Sequence, residues 1–181
     1  MNGEDCVQRP LFGGAISSWF PLRLQQDLSN ITHVPDHQEV FSDPQQDESL
    51  VFELLELKHD VEDSGSAVRF LRDLAGEQDA LETMNLPKYD RLYEYLVEGL
   101  ASLNSPAIAT TAVGLMVIAK GRQGREVQNL VRVYVANLRL QGISTDVVIS
   151  AYEPILIDMR YTQKLMMISS LFLRRFGSES L

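Results

Sequence analysis

Residues 108–119, 127–140 and 146–152 are rich in Val, Ile, Thr and Tyr, and only two short Gly-bearing segments, 120–125 and 141–145, separate them. β-Branched and aromatic side chains of this kind fit a pleated, half-buried surface. In the middle run Val131, Val133 and Val135 alternate with Arg132, Tyr134 and Ala136, a period of two that buries one face of a sheet. Connections this short join antiparallel neighbours, because a parallel crossover needs a dozen or more residues. The chain is therefore committed to an antiparallel sheet, and whatever else it folds has to cover that sheet.

Helical spacing supplies the cover. Ala67–Ala75 places Val68, Leu71, Leu74 and Ala75 on one face, with Ser64 or Ser66 available as a cap and Gly76 as a stop. After Pro87, the recurrence of Tyr89, Leu92, Tyr93, Leu96 and Leu100 predicts a second helix. Tyr161, Leu165, Ile168, Phe172 and Phe176 predict a third, amphipathic one, whose Arg174 and Arg175 suit the negative end of its dipole. The expected class is α+β, an antiparallel sheet with helices on one or both faces.

The N-terminal third is more broken. Residues 1–10 read as a polar tail ending in Pro10, and 11–20 as a β-prone stretch in which Gly13 and Gly14 permit a turn. Leu22–Asn30 suggests a short helical turn, Glu39–Phe41 an extended segment, and Ser42–Asp47 a turn cluster. Residues 49–57 fit either period, and their shortness favours a strand. The expected organisation is a tail at 1–10, one domain at 11–157, and a C-terminal amphipathic helix and tail at 158–181.

Charge narrows the function classes. The formal net charge is −9, which argues against a broadly basic nucleic-acid or anionic-membrane binder. It is also uneven: residues 1–100 carry 20 acidic against 7 basic side chains, a net −13, whereas residues 101–181 carry a net +4. A lone Cys6 excludes a disulfide framework and points to a reducing compartment. No apolar run reaches the roughly 18–20 residues of a membrane span, and the first residues are acidic where a presequence is basic. The reading is a monomer of nucleus and cytoplasm, with no nucleic acid, membrane, metal or cofactor among its partners.

Signatures of catalysis are missing: there is no nucleophile elbow, phosphate-binding loop, dinucleotide fingerprint or zinc-binding helix. His33, Asp36, His37 and Glu39 could supply metal ligands or an acid–base pair, but Pro35 breaks the helix that would align the two histidines, and a polar loop explains them better. Gly121-Arg122-Gln123-Gly124 reads as a basic hairpin turn rather than an RNA-clamping loop. Asp36, Glu39, Asp43, Asp47, Glu48, Glu53 and Glu56 differ in kind, being seven carboxylates in 21 residues interleaved with Val40, Phe41, Leu50, Phe52 and Leu54. They are either a charged sheet edge that resists aggregation or a rigid acidic face that docks a Lys/Arg-rich partner.

Three ordered segments within 46 residues carry a resemblance: Leu11-Phe12-Gly13-Gly14-Ala15-Ile16, Val34-Pro35-Asp36-His37-Gln38-Glu39-Val40-Phe41 and Asp47-Glu48-Ser49-Leu50-Val51-Phe52-Glu53-Leu54-Leu55-Glu56. In sequence and order they resemble the N-terminal motifs of the Ran guanine nucleotide release factor family, the Mog-type proteins. Val133–Leu140 and Thr145–Ser150 resemble that family's later β-region, so the likeness covers 11–76 and 107–157 and omits 77–106 and the C-terminal segment. It implies an α/β/α sandwich similar to the PsbP fold. It also implies a non-catalytic protein that binds the GTPase Ran, nucleotide-free or GTP-bound, promotes nucleotide release and supports nucleocytoplasmic transport. Acidic side chains in the strand after the turn carry much of the Ran contact in such proteins, and they match Glu53 and Glu56. Asp36 and Glu39 come next, Asp47 and Glu48 complete the set, and Pro35 and Gln38 serve loop geometry. A regular strand would send Glu53 and Glu56 to opposite faces, since three is an odd offset, unless a bulge realigns them. The rival reading is a small-ligand binder or hydrolase with a pocket near His33 and Asp36.

Overall fold

The structure, a computed structural model, describes residues 6–24, 26–78, 80, 82–85, 91–95, 107–118 and 128–159. In chain order these residues form β1 (Cys6–Leu11), β2 (Ile16–Pro21), β3 (Gln26–Asp27), β4 (Gln38–Asp43), β5 (Glu48–Glu56), α1 (Ser66–Glu77), β6 (Glu82–Asn85), β7 (Arg91–Tyr95), β8 (Ala107–Ile118), β9 (Gln128–Leu140) and β10 (Thr145–Met159). β3 to β10 make one antiparallel sheet in the order β3-β4-β5-β10-β9-β8-β6, and β7 pairs with the other half of the β8 edge. β1 and β2 form a separate hairpin.

The period-two pattern sorts side chains onto two faces. On one face α1 lays Ala67, Phe70, Leu71 and Ala75 against Ala112 and Met116 of β8, Val131, Val133 and Val135 of β9, and Val148 of β10. Its first turn is fastened by Thr110, whose hydroxyl meets Ser66 Oγ at 2.7 Å and accepts from the Ala67 amide. The side chain of β8 therefore does the work expected of a serine cap, and the helix runs one residue past Gly76. On the opposite face the hairpin packs Leu11 and Phe20 onto Phe41, Leu50 and Phe52. The Phe20 ring centroid lies 4.8 Å from that of Phe41 and 5.8 Å from that of Phe52. Each such buried side chain contributes about 1.5–3 kcal/mol.

Three expectations change. Residues 6–10, read as tail, are β1: Val7, Arg9 and Leu11 turn inward at alternate positions, and Pro10 is tolerated because a two-stranded ribbon leaves one side of each strand without a ladder. Leu22–Asn30 contains the short strand β3 and a single 3₁₀ turn at Leu28–Asn30 in place of a helical turn. Arg91–Tyr95, expected to be helical, is a strand paired with Ala107–Thr111, since an open β8 edge outweighs a short helical period. The remainder of that expected helix, the 120–125 turn and the Tyr161–Phe176 helix lie outside the described residues. Among the described residues the sheet carries one helix on one face and the hairpin on the other, so the fold is mostly antiparallel sheet with α1.

Candidate functional site

The three motif segments, spread over 46 residues of sequence, meet where β4 begins and β5 ends. Gln38 pairs in register with Glu53, and the Leu54 amide donates to His37 O at 2.9 Å. β4 stops there. Among the described residues Leu55 and Glu56 have β10 on one side and no paired strand on the other, so β5 ends as a sheet corner. Loop residues Val34, Pro35 and Asp36 share a groove with Phe12 and Gly13, Glu39 and Leu54.

No bulge interrupts the pairing of β5 with β10, so Glu53 and Glu56 do lie on opposite faces, around one corner. Glu53 is on the helix face with a side chain only 15% exposed. Gln38 Nε2 donates to its Oε1 at 2.7 Å, and His37 Nε2 lies 3.3 Å from the same oxygen. Gln38 is itself set by its amide bond to Pro35 O, 2.9 Å. Glu56 and Asp36 are exposed, and among the described residues neither carboxylate has a hydrogen bond or ion pair. The nearby cations are held away: the Lys58 ammonium pairs with Asp73 and sits 4.8 Å from the Phe70 ring centroid, and Arg139 is buried. The corner thus keeps its negative charge, with one carboxylate oriented in advance and others free in solvent.

The other predicted acids lie elsewhere or act differently. Glu39 accepts from the Phe12 amide and so fastens the turn in which Phe12, Gly13 and Gly14 all have positive φ, 51°, 66° and 95°. Only glycine takes that region without strain, which explains the glycine pair. Glu39→Ala leaves the Phe12 amide without its acceptor and is expected to cost about 1–3 kcal/mol, read from urea unfolding. Asp47 and Glu48 sit at the far end of β5, eight residues or roughly 26 Å from Glu56. Glu48 takes a two-pronged ion pair from Arg23, at 2.8 and 3.0 Å, and buried Asp43 caps the turn by accepting from the Gln45 amide at 2.8 Å. His33 is exposed and does not join the Asp36 groove. Among the described residues no three His, Cys, Asp or Glu side chains could hold a metal ion.

A cavity of about 650 Å³ lies between the end of α1 and the open half of the helix face, where Val40, Val51, Glu53, Leu74, Gln78 and Tyr152 line it. This is the sheet–helix pocket of the rival reading, but it is not at His33. Burial pushes the Tyr152 hydroxyl up to about 12, and the nearby carboxylates of Glu53 and Glu77 add to the shift, while the hydrogen bond from Gln78 opposes it. A folded value above the unfolded one of about 10 means stability is whole below pH 10 and is lost as pH rises toward 12, by about 3 kcal/mol. Tyr152→Phe should remove that part of the alkaline loss, and tyrosinate absorbance should show one residue titrating late.

Sequence reasoning missed the loop after β5. Asp146, a lone carboxylate inside the apolar run of β10, is fully buried and accepts from the Lys58 amide at 3.0 Å and from Asn137 Nδ2 at 3.2 Å. Arg139, 3% exposed, lies beside it with Nε 3.3 Å from Asp146 Oδ1. An acid in a run such as Thr-Asp-Val-Val-Ile was the available signal, because buried charge requires a partner.

The chain is similar to known proteins in sequence and in fold. A family model described as Ran-interacting Mog1 protein matches residues 9–154. A protein named Ran guanine nucleotide release factor from Danio rerio is 33% identical, the alignment covering 84% of this chain and 80% of that one. Its human namesake is 35% identical, with coverages of 83% and 76%. The nuclear import protein mog1 of Schizosaccharomyces pombe is 31% identical, with coverages of 80% and 75%. In fold, the chain is similar to the crystal structure of the Saccharomyces cerevisiae Ran-binding protein Mog1p, with a TM-score of 0.62 at 24% identity over 84% of this chain and 79% of that one.

Proposed function

Because this chain belongs to the family of Ran-interacting Mog1 proteins, we propose that it binds Ran through the acidic corner and promotes release of the bound guanine nucleotide, in support of nuclear protein import. The observation that carries the reading is the corner itself, where Gln38 orients Glu53 on one face while Glu56 on the other face and Asp36 in the loop before β4 present exposed carboxylates with no hydrogen bond or ion pair among the described residues. Asp47 and Glu48, at the far end of β5, belong to the same proposal as an outlying part of the contact.

The mechanism needs no covalent step. A GTPase holds its nucleotide with cationic groups and Mg²⁺ around the phosphates, and a rigid array of carboxylates competes for those cations in the emptied state. By linkage, a release factor must bind the nucleotide-free form more tightly, and each 1.4 kcal/mol or so of difference weakens nucleotide holding about tenfold. The reading is therefore of a non-catalytic factor acting in nucleus and cytoplasm as a monomer, preferring nucleotide-free Ran. The helix-on-both-faces sandwich implied by the family likeness belongs to the same proposal.

Titration of nucleotide-free Ran at two salt concentrations tests the contact. Saturable binding that weakens as salt rises is expected, since the charges are exposed and screened within about 8–10 Å. Absence of binding, or binding indifferent to salt, would argue against an acidic docking corner.

A further inference from the structure

We propose that Arg139 is a positioning residue for the Ran contact, one that holds the chain leaving Glu56 in a single course. This rests on the reading of the acidic corner above. The guanidinium is 3% exposed, yet it spends little of its hydrogen bonding on the core. Nη1 donates to Val61 O at 2.6 Å and lies 2.9 Å from Asp63 Oδ1, and Nη2 donates to Lys58 O. Its charge is balanced by Asp146, which receives the Lys58 amide. The neighbouring Leu57 amide is tied to Ser144 O at 3.0 Å. The two buried side chains thus meet the main chain at Lys58 from both directions and at Val61, within two to five residues of Glu56.

A planar fork of donors can span several carbonyls at fixed angles, which a single ammonium cannot. Arg139 also lies in β9, two residues before the turn to β10, so the rigid sheet is what the loop is measured against. A pair used only for stability could be replaced by apolar side chains of similar size with little loss. A positioning pair could not, because the carbonyls of Lys58 and Val61 would be released to water and Glu56 with them.

The experiment uses the full chain as R139M/D146L and as Arg139→Lys, with wild type and Glu56→Lys as references. The readouts are Kd for nucleotide-free Ran, thermal midpoint, and amide exchange across residues 57–63. The expected result is a double variant whose midpoint stays within a few degrees while Kd weakens about two- to fivefold, the most that an exposed ion pair at Glu56 supplies, and the 57–63 amides exchange faster. Arg139→Lys, which keeps the buried charge pair, should weaken binding about as much as it loosens the loop. A stable double variant with wild-type Kd overturns the proposal. If the double variant fails to fold, Arg139→Lys decides alone, and wild-type Kd with a loosened loop overturns it. A wild-type chain that does not bind Ran overturns the reading beneath it as well, whereas wild type that binds and variants that bind equally overturn only the positioning role.

Discussion

Reversing both charges at the corner, Glu53→Lys with Glu56→Lys, is expected to weaken Ran binding by at least about a hundredfold while the protein stays folded. The two residues contribute unequally. Glu56 is exposed, and an ion pair made there is worth about 0.2–1 kcal/mol. Glu53 is 15% exposed and already held by Gln38, so it has little orientation left to lose and is further desolvated when a partner covers it. Truncating one side of such a covered, hydrogen-bonded charge pair costs about 2–5 kcal/mol, and reversal adds repulsion to that loss. The fold should survive, because among the described residues the exposed Glu56 carboxylate makes no hydrogen bond or ion pair and a lysine at 53 can lay its stem along the sheet with the ammonium in solvent. Unchanged circular dichroism with unchanged Kd would remove the corner from the contact.

Asp146→Ala is the second large effect, and it falls on stability rather than on recognition. The substitution leaves the Arg139 guanidinium, 3% exposed, with only the more exposed Asp63 carboxylate at 2.9 Å as counter-charge, and takes the acceptor from the Lys58 amide and from Asn137. Removing one partner of a buried pair costs about 3–5 kcal/mol. For a chain of this size that lowers the thermal midpoint by roughly 6–20 °C, at about 2–4 °C per kcal/mol. Pairing it with Arg139→Met should recover much of the loss, since no charge is then left buried, and neighbouring side chains are not additive. A calorimetric midpoint for Asp146→Ala within 2–3 °C or so of wild type would contradict the buried pair as described.

The sheet was legible because its signal is periodic and long. Val131, Val133 and Val135 on one face of β9 followed from alternation alone, and so did antiparallel neighbours from the short turn at 141–145. The α1 helix was legible from its apolar stripe, but its fastening by Thr110 was not, because that hydroxyl arrives from a strand 43 residues on. β1 and β7 went unread for opposite reasons. In β1 the polar residues and Pro10 hid a pairing that only the hairpin supplies, and in β7 a local helical period competed with a long-range edge that sequence does not display.

The candidate site was legible as a set of residues more than as a place. The acidic series identified Glu53, Glu56 and Asp36, and the odd spacing already implied two faces. Only the register revealed that β4 begins opposite Glu53 and turns those two faces into one corner. The same register divided the series by role, giving Glu39 to the Phe12 turn, Asp43 to the loop cap and Glu48 to Arg23. Charge counting cannot make that division, because it weighs a carboxylate that holds a loop the same as one that faces solvent.

Whether the acidic corner empties Ran is read from the rate at which Ran sheds a fluorescent guanine nucleotide. The wild-type chain should accelerate release in proportion to its concentration until it saturates, and the Glu53→Lys, Glu56→Lys chain at the same concentration should leave the rate at its unassisted value. A rate unmoved by wild-type protein at concentrations that saturate binding would contradict that role, leaving a protein that holds Ran without emptying it.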